Sequence, residues 1–420
     1  MNILIIGRGG REHAIAWKAA QSPLVSKLFI APGNEGMRHL GQVPVELVNI
    51  NENASDDLVA FALEHHIDLT IVGPEAALIN GIANRFAEAG LAIFAPTREA
   101  ARIEGSKQFA KDLMQKYQIP TASFRTFSQY EEAKQYLQET GAPIVIKYDG
   151  IAAGKGVVVA MTMEEADQAL QDMLLDHNFG EGKVLMEAYL EGPEFSLLTL
   201  VNGRQVVPLV IAQDHKRAYD GDKGPNTGGM GAYSPVPVIP QAQIDWAIEH
   251  IMQATANAMV EEGCPFTGIL YGGLMLTAQG PKVIEFNARF GDPETEVVLP
   301  KMKSDLVQHI VDLLDHKPVT PAFYEEAFLG VVMATKGYPG KYGKGFPIRH
   351  LDLVKQTVFH MGTTLKDGEY VTNGGRVLFV VGKGHTLAEA QKDAYEGVNM
   401  IECPELFYRN DIGWQAIKKA

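Results

Sequence analysis

Val283-Ile284-Glu285-Phe286-Asn287-Ala288-Arg289-Phe290-Gly291-Asp292-Pro293-Glu294 holds the densest concentration of chemistry in the chain. Its apolar start reads as a strand, and with residues 268–276 it resembles a hairpin. Side chains on a strand alternate faces, so Glu285, Asn287 and Arg289 share one surface. A carboxylate and an amide oxygen there suit Mg²⁺, which takes one or two protein ligands and completes its shell with phosphates and water. Arg289 would stand beside those phosphates and neutralise charge as a phosphoryl group moves. A simple Glu285–Arg289 ion bridge on a polar strand is the competing reading.

Outward from this hairpin the pattern changes. Residues 1–104 alternate strands (2–6, 27–31, 68–72, 91–94) with helical segments, the first helix being placed around 14–21. Such alternation predicts an open parallel sheet with ligands at the strand C-termini. A helix runs from Ser106-Lys107 to about Tyr117. Residues 121–190 form a compact unit, with strands at 143–147, 157–161 and 184–189 and a helix capped by Thr162 and Glu165. Strands at 194–201 and 206–211 and a long helix over 245–262 follow. Beyond 328 come Gly-punctuated strands and a helix near 387–398.

Several loops carry charge or glycine where chemistry would need them. Gly7-Arg8-Gly9-Gly10-Arg11-Glu12 begins like a dinucleotide fingerprint, but Glu12 occupies the third glycine position and no acid ends the second strand. What remains is a helix N-terminus with glycine amides and Arg11, suited to one phosphate or other anion. Lys147 ends a strand and is followed by Asp149-Gly150-Ile151-Ala152-Ala153-Gly154-Lys155-Gly156, whose small residues let backbone close over phosphates. Backbone near 188–190 is placed as an adenine hinge, and Glu194 as an acceptor for ribose hydroxyls. Gln213-Asp214-His215-Lys216-Arg217 precedes Gly224–Gly231, which is read as too glycine-rich for regular structure and as a substrate loop.

Composition narrows the class. The chain has 420 residues, enough for about three domains of ordinary size. Its net charge of -14 argues against general binding to nucleic acid or anionic membranes, so any phosphate site must be built locally. Two cysteines, Cys264 and Cys403, provide neither a disulfide framework nor a Cys-based metal site. Without a recognisable leader or an apolar run of spanning length, a soluble cytoplasmic protein is expected.

Together these stretches resemble the ATP-grasp superfamily and, within it, the phosphoribosylamine–glycine ligases. Further matching segments are Ala31-Pro32-Gly33-Asn34, Gly73-Pro74-Glu75, Glu104-Gly105-Ser106-Lys107, Asn373-Gly374-Gly375-Arg376 and residues 409–414. The resemblance implies an α/β fold, α+β in parts. It comprises an N-terminal open parallel-sheet domain (1–104), an ATP-grasp core (105–120 and 191–326), a small lid domain (121–190) and a C-terminal mixed α/β domain (327–420).

The resemblance also implies roles. Lys107, Lys147, Gly154, Lys155 and Gly156 would contact ATP phosphates, Glu187 and Leu190 would frame adenine, and Glu194 the ribose. Glu285 and Asn287 would hold Mg²⁺ or Mn²⁺. Gly9, Gly10, Arg11, Gly33 and Asn34 would face 5-phosphoribosylamine. Asp214, Lys216, Arg289 and Asp292 would position glycine or its activated form, with Arg289, Lys155 and Asp214 catalytic. The expected partners are glycine, 5-phosphoribosylamine and ATP, with no nucleic acid or membrane, for a chain acting as a monomer. Residues 266–282 contain no Asp or Glu, so a two-metal cage would need phosphates and water to complete it. Another carboxylate–amine ligase of the superfamily, or a nucleotide sensor, is the alternative. Intact Glu285, Asn287, Lys147 and Lys155 argue against the sensor.

Overall fold

The computed structural model describes residues 1–150 and 156–417. Five parallel strands form the first sheet, in the order Val45–Leu47, Lys27–Pro32, Asn2–Gly7, Leu69–Val72, Ile93–Phe94. The central strand is apolar along its length because helices cover both faces of such a sheet. The chain order reverses beside Asn2–Gly7, which puts the crevice at the C-terminal end of that strand. Helix Gly10–Ala19 starts four residues before the expected Ala14. Glu12 explains the early start: its carboxylate accepts the Gly9 N–H at 2.7 Å and caps the first turn.

A smaller antiparallel sheet, ordered Phe124–Phe127, Val184–Ala188, Ile144–Tyr148, Val157–Ala160, has its own hydrophobic core under helices Tyr130–Thr140 and Met163–Leu174. Thr162 and Glu165 form the capping box read from the sequence. A third sheet, also antiparallel, runs Gln205–Pro208, Glu194–Asn202, Thr267–Thr277, Gly280–Asn287. In its long hairpin Gly273 faces Glu285 while Leu274 faces Val283, so Ile284 is an extra, bulged residue. The helix expected over 245–262 begins at Gln241 and passes through a π-helical stretch, Ile248–Gln253, before ending at Glu261.

The C-terminal sheet continues across position 327. Gln213–Asp214 and Gly231–Ser234 pair in series onto Ala327–Thr335, followed by Arg376–Gly384 and Thr357–His360, with helix Leu387–Met400 packed against them. The irregular loop expected at Gly224–Gly231 is therefore bounded by strands at both ends and irregular only over 227–230. Lys223–Asn226 pairs with Arg217–Tyr219, and Gly231 opens a buried strand. Long-range backbone pairing outweighs weak local propensity there. Among the described residues no helix is long and apolar enough to cross a membrane.

Candidate active site

The first sheet and the C-terminal sheet enclose a cavity of about 570 Å³. Gly9 and Gly10 reach it from the end of Asn2–Gly7, and Gly33 and Asn34 from the end of Lys27–Pro32. Gly33 adopts φ +68°, a conformation glycine enters without strain, and a Cβ there would press on Leu47 at 2.8 Å. The Asn34 amide donates to Arg8 O at 2.7 Å and to His360 O at 2.9 Å, tying the two walls together. Asp292 lines the same cavity.

Arg11 does not line it. Its guanidinium is buried behind the turn, donating to Glu12 at 2.6 Å and to Phe290 O at 3.3 Å, with Glu75 at 3.9 Å. Burial would lower its pKa, but the surrounding carboxylates of Glu12, Glu75 and Asp292 outweigh that and fix the charge. The lining cations are Arg8, Arg38 and Arg376, none of which the sequence reading assigned a role. Arg8 pairs with Glu52, Arg38 with Glu35, and Arg376 with Asp292 at 3.1 Å. For Arg376 the signal was present in the Asn373-Gly374-Gly375 turn before it. Only the fold brings that turn opposite Gly9-Gly10.

A second cluster sits between the small sheet and the long hairpin. Lys147 Nζ donates to Glu187 at 3.0 Å and to Ile284 O at 3.0 Å, the carbonyl that the bulge exposes. Lys111, missed in the sequence, also pairs with Glu187 at 3.2 Å. It stands four residues after Lys107 and hence on the same helix face. Burial lowers Lys111 to about 8 against the pull of Glu187. Glu187 Oε1 is buried with no hydrogen-bond partner among the described residues. Lys107 donates to Gly150 O at 2.9 Å, and its backbone N–H to Asp149 at 2.8 Å. Leu190 is half-buried and Gly156 buried. Gly154 and Lys155 lie outside the described residues.

The third cluster contains the opening stretch. Asn287 Nδ2 donates to Glu285 at 3.4 Å and Arg289 donates to Asn287 Oδ1 at 3.3 Å, so the three do share a surface. Arg289 forms no ion bridge to Glu285; it pairs with Glu104 at 3.1 Å and Glu75 at 3.5 Å. Burial raises Glu285, but Lys216, Lys147 and Arg289 outweigh it and hold the carboxyl below its usual range. Nearby, Glu194 pairs with Lys216 at 2.8 Å. Burial pushes Asp214 up to about 7 despite Lys216.

Among the described residues no group of three or more His, Cys, Asp and Glu side chains gathers as a metal cage. A carboxylate held ionised with no ion-paired cation among the described residues, next to an Asn side chain whose oxygen accepts from Arg289, offers two oxygens that suit a hard divalent ion completing its shell with phosphate and water. The donor set fits Mg²⁺ or Mn²⁺.

Two facing sheets, a small lid-like sheet and this Lys–Glu–Asn–Arg cleft define an ATP-grasp enzyme. The biotin carboxylase domain of Hydrogenobacter thermophilus 2-oxoglutarate carboxylase superposes with TM-score 0.71 over 97% of this chain and 91% of that one; at 16% identity it speaks for the fold alone. Family models of phosphoribosylglycinamide synthetase match the N domain over residues 1–104, the ATP-grasp (A) domain over 105–295 and the C domain over 328–415. The chain belongs to the phosphoribosylamine–glycine ligase family. A ligase of that name from Halalkalibacterium halodurans is 56% identical over 421 residues, 99% of this chain and 97% of that one. The crystal structure of the Thermotoga maritima ligase superposes with TM-score 0.86 at 33% identity, covering 98% of this chain and all of that one.

Proposed function

We propose that the chain joins glycine to 5-phosphoribosylamine at the expense of ATP, giving glycinamide ribonucleotide, ADP and phosphate, a step of de novo purine (IMP) synthesis. Family membership carries this reading, and the paired-off Arg289 beside a Glu285 that has no ion pair among the described residues supports it. A glycine carboxylate resists an amine because oxide is a poor leaving group. Transfer of the γ-phosphoryl group to a glycine oxygen makes glycyl phosphate and releases ADP. The ribosyl amine then attacks the acyl carbon, the C–O bond to phosphate breaks, and the amine gives up a proton.

The chain's tasks are positioning and charge neutralisation. In this reading Lys107, Lys147 and Lys155 hold ATP phosphates with the backbone of Gly154 and Gly156. Glu187 and Leu190 frame adenine and Glu194 the ribose. Glu285 and Asn287 would hold Mg²⁺ or Mn²⁺, which when bound neutralises phosphate charge. Gly9, Gly10, Gly33 and Asn34 face the ribose phosphate. Asp214, Lys216 and Arg289 position glycine, whereas Asp292, read from the sequence as a glycine contact, lines the cavity with Gly9 and Gly10 and is assigned to the ribosyl amine. Arg11, cased in carboxylates, supports the turn from behind. We assign 1–104 to the amine substrate, 105–120 with 191–326 to ATP, 121–190 to a lid that excludes water from the acyl phosphate, and 327–420 to closing the amine site.

The test is ADP release with Mg²⁺, ATP and freshly generated phosphoribosylamine, with and without glycine. Glycine-dependent ADP matched by a ribosylated glycinamide is expected. No turnover by folded, ATP-binding protein would overturn the reading.

A further inference from the structure

Glu296 plays no part in the chemistry above, yet it is fully buried on helix Thr295–Lys301, directly behind the glycine turn. A Cβ on Gly10 would lie 2.6 Å from Glu296 Oε1 and 2.8 Å from Met361, so glycine at position 10 lets the carboxyl come against the backbone of the cavity wall. Among the described residues neither Glu296 oxygen accepts a hydrogen bond. Arg376, the cation of this corner, pairs with Asp292 Oδ1. With Arg376 already paired to Asp292, a second ionised carboxylate buried here is not tolerated, whereas a neutral carboxylic acid has a hydrogen to give. The acceptor within its reach is Asp292.

The two acids diverge in the way a proton-sharing pair must. Burial, then the Asp292 charge, drives Glu296 far above the carboxylate range. For Asp292 burial acts in the same direction, but Arg376, Arg11, the hydrogen bond from Glu296 and Arg289 outweigh it and keep it ionised. The charged groups facing the pair are thus Arg376 from strand Arg376–Gly384, itself facing Glu294, Arg11 from helix Gly10–Ala19, and Arg289 from the loop after Asn287.

We propose that Glu296 is a positioning residue, a permanently neutral acid whose O–H donates to Asp292 and holds that carboxylate toward the amine of the ribosyl substrate in the cavity. The inference rests on the cavity's taking that amine. Glu296 neither gives up its proton nor touches substrate; it sets the direction and the ionisation of Asp292.

Glu296→Gln and Glu296→Leu separate this from a packing role. Gln keeps a neutral donor: kcat/KM for phosphoribosylamine stays within about twofold of the parent, with an unmoved pH profile, since one neutral donor replaces another. Leu removes the donor: kcat/KM falls roughly tenfold or more, the weight of one charge-assisted hydrogen bond, and the acidic limb of the profile moves to higher pH as Asp292 becomes easier to protonate. A Gln variant as impaired as Leu would overturn the proposal, because an ionisable group would then be needed. A Leu variant with parental kinetics, or with loss but no displaced limb, would overturn it too. A readout without turnover is the infrared C=O stretch of a protonated carboxyl, which must appear in the parent-minus-Glu296→Gln difference spectrum and persist unchanged from about pH 6 to pH 8; absence of that difference band overturns the proposal, and this decides the matter if the Leu variant does not fold. Absence of glycine-dependent turnover in the parent would instead sink the functional reading.

Discussion

Glu285 shows how a single side chain is made useful by what its neighbours do elsewhere. Arg289 is the obvious partner four residues along the same face, but Glu104 and Glu75 occupy it. The cleft therefore contains an ionised carboxylate without an ion-paired cation among the described residues, next to the Asn287 amide. Glu285→Ala should lower the rate of the phosphoryl-transfer step by roughly 10²–10³-fold, the usual loss when one preorganised electrostatic element is removed. Single-turnover ADP formation measures it, with the circular dichroism spectrum as control for folding. Normal turnover by the folded variant would remove Glu285 from the metal site. Arg11 teaches the opposite lesson. A basic residue at a glycine turn promises an anion contact, yet the carboxylates of Glu12 and Glu75 claim it.

At the scale of elements, small deviations from regularity place the functional groups. The bulge at Ile284 turns a ladder carbonyl toward Lys147 and so locates the Lys147–Glu187 pair over the hairpin. Helix Lys107–Lys116 projects Lys107 and Lys111 one turn apart toward the same cleft. The small sheet owes part of its stability to a local device, the Thr162–Glu165 capping box on helix Met163–Leu174. Thr162→Ala should cost about 1 kcal/mol, the common value for a lost N-cap. A urea titration would show it as a lower midpoint at unchanged slope; an unchanged midpoint would mean the cap is replaced by water without loss.

Across the whole molecule the first and last sheets are joined by a histidine contact. His13, buried on helix Gly10–Ala19, accepts the His360 backbone N–H at 2.8 Å, and the His360 ring bonds Thr363 at 2.8 Å. Burial lowers both imidazoles, His360 to about 4 from an ordinary 6.5, so the folded state holds them neutral. Above the unfolded value neither state gains a proton and the full stability is present. As pH falls through 6.5 the unfolded chain takes up protons first, and stability is lost progressively down to about 4. The urea midpoint should fall across that window and fall less in His360→Gln. Identical pH dependence in the two proteins would show that His360 titrates freely in the fold.

The sequence by itself determined the elements and the chemistry borne on short spans. Period-two alternation aligned Glu285, Asn287 and Arg289, an apolar run ending in the Gly7 turn marked the central strand over 2–6, and Thr162–Glu165 marked a helix start. Each is set by contacts within a few residues, which local pattern encodes. Only the tertiary structure decided which charges remain available. Arg376 enters a cavity built by Gly9 and Asn34, the sheet beyond residue 327 recruits Gln213–Asp214 and Gly231–Ser234, and Glu296 is left neutral against Asp292. Those outcomes depend on burial and on groups that the fold gathers from separate parts of the chain, because desolvation and Coulomb energy follow distance in space and leave no periodic mark along the chain.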